Sequence, residues 1–91
     1  MAASTDMFVA FLSMRVLITG AAGFIGQQLL NQLAIQQPQW TLIAADIRAQ
    51  PDGVLPANIE PVLLDISQTL AVQQCVARHK PQAIVHLGHA L

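Results

Sequence analysis

From residue 14 onward the apolar positions change their spacing several times along the chain, and each change marks a structural element. MRVLIT, residues 14–19, is a short β-branched apolar run stopped by Gly20, the pattern of a strand buried on both faces of a parallel sheet. Beyond the glycines, Ile25, Leu29 and Leu33 recur every fourth position with Leu30 and Ala34 beside them. That stripe predicts an amphipathic helix ended by Pro38. TLIAAD (Thr41 to Asp46) predicts a second strand, and IRAQPDGVLPANIE, with Pro51, Asp52, Gly53 and Pro56, predicts a loop. PVLLD (61–65) then predicts a third strand, Gln68 to His79 a helix burying Leu70, Ala71, Cys75 and Val76, and AIVHL (83–87) a fourth strand.

Strand, helix, strand, loop, strand, helix, strand is the alternation of an α/β fold with a parallel sheet and right-handed crossovers. The expected architecture is a partial Rossmann-type sheet of strand order 3-2-1-4 with flanking helices. Its ligand crevice opens between strands 1 and 4, at their carboxyl ends.

Composition narrows the reading. At 91 residues the chain is at most one small domain, and 54% hydrophobic against 10% charged residues argues for a packed core over disorder. Four Lys and Arg against five Asp and Glu give a net charge of −1 without a basic cluster, which excludes a nucleic-acid partner. Cys75 is the single cysteine, so no internal disulfide is available, in keeping with a reducing, cytoplasmic setting. The start MAASTDMFVAFLS has an apolar core of only Met7 to Leu12 and no preceding Lys or Arg. It fits neither a secretory signal nor a membrane span. Residues 1–13 are read as an extension of unknown role, and residues 14–91 as the folded part.

The chemistry lies in LITGAAGFIGQQLL, residues 17–30, where Gly20, Gly23 and Gly26 join the first strand to the first helix. A helix start presents unpaired N–H groups and a partial positive charge, which suit a phosphate if no side chain blocks its approach. Gly20 would allow the tight turn, Gly23 the close approach of a pyrophosphate, and Gly26 the packing of helix on strand. The N–H groups of Phe24 and Ile25 are the expected donors. A glycine-rich turn that merely connects two elements has the same spelling, so the context matters. Asp46 ends the second strand 20 positions after Gly26, where a carboxylate meets the adenosine ribose hydroxyls in dinucleotide folds. Otherwise it is a strand-end turn former.

TGAAGFIG, residues 19–26, resembles the TGxxGxxG fingerprint of the extended short-chain dehydrogenase/reductases, the NAD-dependent epimerase/dehydratase group. LLDIS (63–67) is similar to the segment in which the family places an Asp on the adenine amino group, here Asp65, with Ile66 beside the ring. KPQAIVHLGHA (80–90) resembles the family's KPDxVxHLAA strand, which implies that Leu87, Gly88 and His89 line the cofactor. Gly88-His89 departs from the usual Ala-Ala and sets an imidazole near the nicotinamide ribose, where it would bond the cofactor or substrate or simply be solvated. His86, inside an apolar strand, is expected to be structural and satisfied by a backbone group.

The resemblance implies a nicotinamide dinucleotide as cofactor. Asp46 favours NAD, because a carboxylate accepts from both ribose hydroxyls and repels a 2′-phosphate, while Arg48 two residues later offers NADP a guanidinium if Asp46 turns away. The family's catalytic tyrosine and its lysine four positions on have no counterpart, since the 91 residues contain no tyrosine. No catalytic or metal-ligating set replaces them. The expectation is therefore the NAD-binding amino-terminal portion of a sugar or nucleotide-sugar epimerase, dehydratase or dehydrogenase, whose substrate is met only in a longer protein. A stand-alone binding or regulatory module and a remnant without function are the alternatives. An apolar outer edge on the fourth strand would favour self-association.

Overall fold

The computed structural model describes residues 13–50, 53 and 55–87. The expected extension, apart from Ser13, and Pro51, Asp52, Gly88 and His89 lie outside the described residues. The elements are β1 (Arg15–Thr19), α1 (Phe24–Gln36), β2 (Thr41–Asp46), β3 (Ile59–Leu63), α2 (Thr69–His79) and β4 (Ala83–His86). All strands pair in parallel in the order β3-β2-β1-β4, as the alternation of elements requires. Among the described residues no helix is long and apolar enough to cross a membrane.

The unbroken apolar spelling of β1 and β2 follows from their central position, where both faces are covered. Val16, Ile18, Leu42 and Ala44 meet Leu30 and Ala34 of α1 on one face; Leu17, Ile43 and Ala45 meet Cys75 of α2 on the other. Ile18, Leu30, Leu42 and Ile43 are fully buried, each contributing about 1.5–3 kcal/mol of transfer free energy. β3 is an edge strand, which explains how Pro61 is tolerated within it: its missing N–H leaves no internal ladder bond unmade.

Several boundaries and faces differ from the sequence reading. β3 begins at Ile59, two residues before the expected PVLLD, so the preceding loop ends at Asn58. Leu42 N–H donates to Asn58 O at 2.8 Å, and this pairing with β2 recruits Ile59 and Glu60 into the sheet. β4 ends at His86, although Leu87 N–H still donates to Thr19 O at 3.1 Å. On α1 the stripe is centred on Gly26, Leu30 and Ala34, and Ile25 is exposed. On α2 only Cys75 is buried, with Ala71 and Val72 packed beside it, whereas Leu70 and Val76 are exposed. Both shifts have one cause. A helix laid on a twisted sheet covers one stripe of its surface, and the crossing angle decides which residues fall within it.

Local chemistry fixes the helix ends. Gln37 N–H closes α1 on Leu33 O at 2.8 Å, and Pro38 cannot continue it. α2 ends at Lys80, which takes the left-handed conformation at φ 48, with Arg78 and His79 in the last turn where cations favour the dipole. Far from the carboxyl ends of the strands, Arg15 Nε donates to His79 O at 2.6 Å and clamps this helix end to the start of β1.

Candidate functional site

At the carboxyl ends of the strands the chain opens a cleft of about 570 Å³. Of the residues expected to bind cofactor, it collects Gly20, Gly23, Phe24, Ile25, Gly26, Asp46, Arg48, Asp65, Ile66 and Leu87. Ala45, Ile47, Leu64 and Ser67 also line it and were not anticipated. Their signal was adjacency: each neighbours an expected residue where a strand runs into its loop. Gly88 and His89 are not among the described residues.

The three glycines do different work. Gly20 has φ 71, a left-handed conformation that turns the chain out of β1 without steric cost. A Cβ on Gly26 would lie 2.7 Å from both Cα and O of Ala21 and closer still to Gly20 O, all backbone atoms. Gly26 is therefore demanded by the packing of α1 against the turn. A Cβ on Gly23 would lie 3.4 Å from Gly20 O and 3.6 Å from the Arg48 guanidinium, ordinary contact distances. The protein itself leaves room there.

Backbone donors around the turn divide in two groups. Ala21 N–H donates to Ala45 O at 3.1 Å, Ala22 N–H to Asp46 Oδ2 at 3.0 Å and Gly23 N–H to Gly20 O at 3.2 Å. The N–H groups of Phe24, Ile25 and Gly26, the first turn of α1, have no such partner among the described residues. No acidic side chain in that turn offsets the helix's positive end. The cleft thus presents free, positively polarised donors at a surface kept bare by Gly23.

Asp46 faces the turn across the cleft. Its side chain is only 6% exposed, and its carboxylate accepts from Ala22 N–H on one oxygen and from Arg48 N–H at 3.0 Å on the other. Burial works to raise its pKa, but hydrogen bonds from the Arg48 and Ala22 backbones, with the Arg48 guanidinium at 3.5 Å, outweigh it and hold the group below the ordinary carboxylate value. Asp46 is ionised at neutral pH, and a carboxylate has lone pairs beyond those already engaged. The opposite wall comes from the turn after β3. Asp65 Oδ1 accepts from Ser67 N–H at 2.9 Å and Ser67 Oγ at 2.7 Å, which lowers its pKa and leaves Oδ2 without a donor among the described residues.

His86 departs from expectation. The residue is exposed, and its Nδ1 lies 2.6 Å from Oγ1 of buried Thr19, a side-chain partner in place of the expected backbone group. Parallel pairing sets Thr19 directly opposite His86 at the ends of β1 and β4, which the sequence spacing does not reveal. Cys75 is buried against β1 and β2, and burial pushes its thiol pKa up, as suits a packing residue.

Residues 16–91 match the NAD dependent epimerase/dehydratase family. Among solved structures, the chain is similar to uronate dehydrogenase from Agrobacterium tumefaciens at 36% identity and TM-score 0.68, over 88% of this chain and 28% of that one. A mutant of that enzyme complexed with NAD matches at 35% identity and TM-score 0.67, over 87% and 28%. The holo form of an L-threonine dehydrogenase from Cupriavidus necator matches at 27% identity and TM-score 0.68, over 85% and 24%. The chain thus spans about a quarter of the length of these structures.

Proposed function

The chain belongs to the NAD dependent epimerase/dehydratase family, and on that premise we propose that residues 14–91 form the amino-terminal part of a dinucleotide-binding domain that holds NAD in the cleft. Residues 1–13 precede it as an extension. The observation that carries this reading is the set of free N–H groups on Phe24, Ile25 and Gly26, facing an open Gly23 surface with Asp46 and Asp65 in the same cleft.

The residues present fit such a ligand in three places. The first turn of α1 donates to the pyrophosphate, with Gly23 bare so that it can approach. Ionised Asp46 accepts from the adenosine ribose hydroxyls and repels a 2′-phosphate, which favours NAD over NADP. Asp65 receives the adenine amino group, Ile66 flanks the ring, and Leu87 walls the side nearest β4. The bound nicotinamide would supply a hydride acceptor or donor. These residues bind and orient; sugar or nucleotide-sugar epimerisation, dehydration or oxidation is proposed for the whole protein. The 36% identity to a uronate dehydrogenase favours oxidation of a sugar acid among these.

The test is calorimetric titration of the chain and of Asp46→Ala with NAD and NADP. The expected result is binding of NAD in preference to NADP, with Asp46→Ala weakening NAD and narrowing the preference. Equal affinity of the unmodified chain for both would remove the NAD assignment, and binding of neither would remove the cofactor reading.

A further inference from the structure

Resting on that reading, we propose that Gln27 and Gln50 form a latch that sets the preference for NAD by fixing where Arg48 stands. Gln27 Nε2 donates to Ala21 O at 2.7 Å and to Gln50 Oε1 at 2.6 Å. These two acceptors use both of its hydrogens. The orientation of each amide follows, since turning either one would set oxygen against oxygen or nitrogen against nitrogen. Gln50 must present its carbonyl to Gln27, and its Nε2 is left buried with no partner. An amide free to turn would not bury an unpaired donor, so the contact with Gln27 governs the position of Gln50.

The latch ties α1 and the glycine turn to the segment after β2, while Ala22 N–H to Asp46 Oδ2 at 3.0 Å, beside the Ala21 N–H bond to Ala45 O, ties the turn to the end of β2. Arg48 lies midway between the tethered positions 46 and 50. Its backbone N–H is on Asp46 Oδ1 at 3.0 Å, its Nε is 3.5 Å from the same oxygen, and its side chain is 65% exposed. The guanidinium is thereby kept beside Asp46, with one nitrogen 3.6 Å from where a Cβ on Gly23 would lie. Held there, it sustains an ionised Asp46 toward the ribose hydroxyls. With residue 50 released, the segment is anchored at one end only, and the guanidinium is free to meet a 2′-phosphate.

Breaking the latch should weaken NAD and leave NADP unchanged or tighter, whereas a merely structural role would weaken both alike. The experiment titrates the 91-residue chain, Gln50→Ala and Gln27→Met with NAD and NADP, with circular dichroism to establish folding. Gln36→Ala, on the exposed face of α1, serves as the control. The expected result is a fall of about fivefold in the NAD-to-NADP affinity ratio for both latch variants, the equivalent of one net hydrogen bond, with no change for Gln36→Ala. An unchanged ratio in a folded latch variant that still binds NAD overturns the latch while the cofactor reading stands. An unmodified chain that binds neither dinucleotide overturns both. Gln27→Met breaks the latch from the helix side, so the test holds even if Gln50→Ala fails to fold.

Discussion

Replacing Gly26 and Gly23 by alanine, one at a time, separates what the fold needs from what a ligand needs. At Gly26 the new methyl would meet the Cα and O of Ala21 at 2.7 Å and come nearer still to Gly20 O. These are backbone atoms on a turn pinned by the Ala21–Ala45 and Ala22–Asp46 bonds, so they cannot give way cheaply. Forcing a methyl group into a packed site costs typically 1–3 kcal/mol, and a three-atom backbone clash belongs at the upper end or beyond. Against this, Gly to Ala within a helix gains about 1 kcal/mol of propensity. The clash wins, leaving about 2 kcal/mol of destabilisation. At Gly23 the nearest atoms would be 3.4 and 3.6 Å away and φ is −74, which alanine adopts without strain. The cost there is the poorer helix cap, below about 1 kcal/mol. Urea unfolding followed by circular dichroism, together with NAD titration, reads both effects. Gly26→Ala should lose stability, with a melting temperature lower by about 8 °C or more for a chain of this size. Gly23→Ala should stay folded and lose NAD affinity at least tenfold, because the methyl occupies the space a pyrophosphate would take. Equal stability of Gly26→Ala and the unmodified chain would refute the packing argument. Full NAD affinity in Gly23→Ala would refute the assignment of its open surface to the ligand.

Other outcomes follow from single groups. The folded-state pKa of Asp46 lies below its ordinary value of 3.8, so its stabilising contribution is present above that value and is lost as pH falls through and below it. Urea midpoints measured from pH 6 downward should drop at the acid end, and Asp46→Asn should flatten that drop; an unaltered profile would refute the linkage. Lys80→Gly should stabilise the chain by about 0.5–1 kcal/mol, since glycine adopts φ 48 without the penalty a side chain pays, and an unchanged or lower melting temperature would count against it. β4 is at the sheet edge with Ile84 56% exposed, so sedimentation of the 91-residue chain should show association with a second copy, and a well-folded monomer would contradict this.

The sequence by itself determined the order of elements, the parallel sheet and the glycine turn, because these rest on short-range spacing. Val16 to Ile18 and Leu42 to Ala45 are apolar without interruption since both faces of central strands are covered, and that needs no knowledge of partners. Gly20 and Asp46 were legible for a similar reason: each stands at the junction of a strand with its loop, and parallel strands bring those junctions to one end; Asp65 was legible only through the resemblance of LLDIS to a family segment. The start of β3 at Ile59 and the exposure of Leu70, Val76 and Ile25 were decided in three dimensions. Strand pairing extends an element past its local signal, and a crossing angle selects which side of a helix is covered. The separate roles of the glycines followed from their spacing, and the tertiary structure supplied the distances behind them: Gly26 is crowded by Ala21 while Gly23 is not. The bond of His86 to Thr19, 67 residues away, and that of Gln27 to Gln50, 23 residues away, were likewise decided by the tertiary structure. Such contacts depend on where two distant backbones come together and which hydrogen-bonding groups are left to be satisfied there, and no periodicity along the chain encodes that.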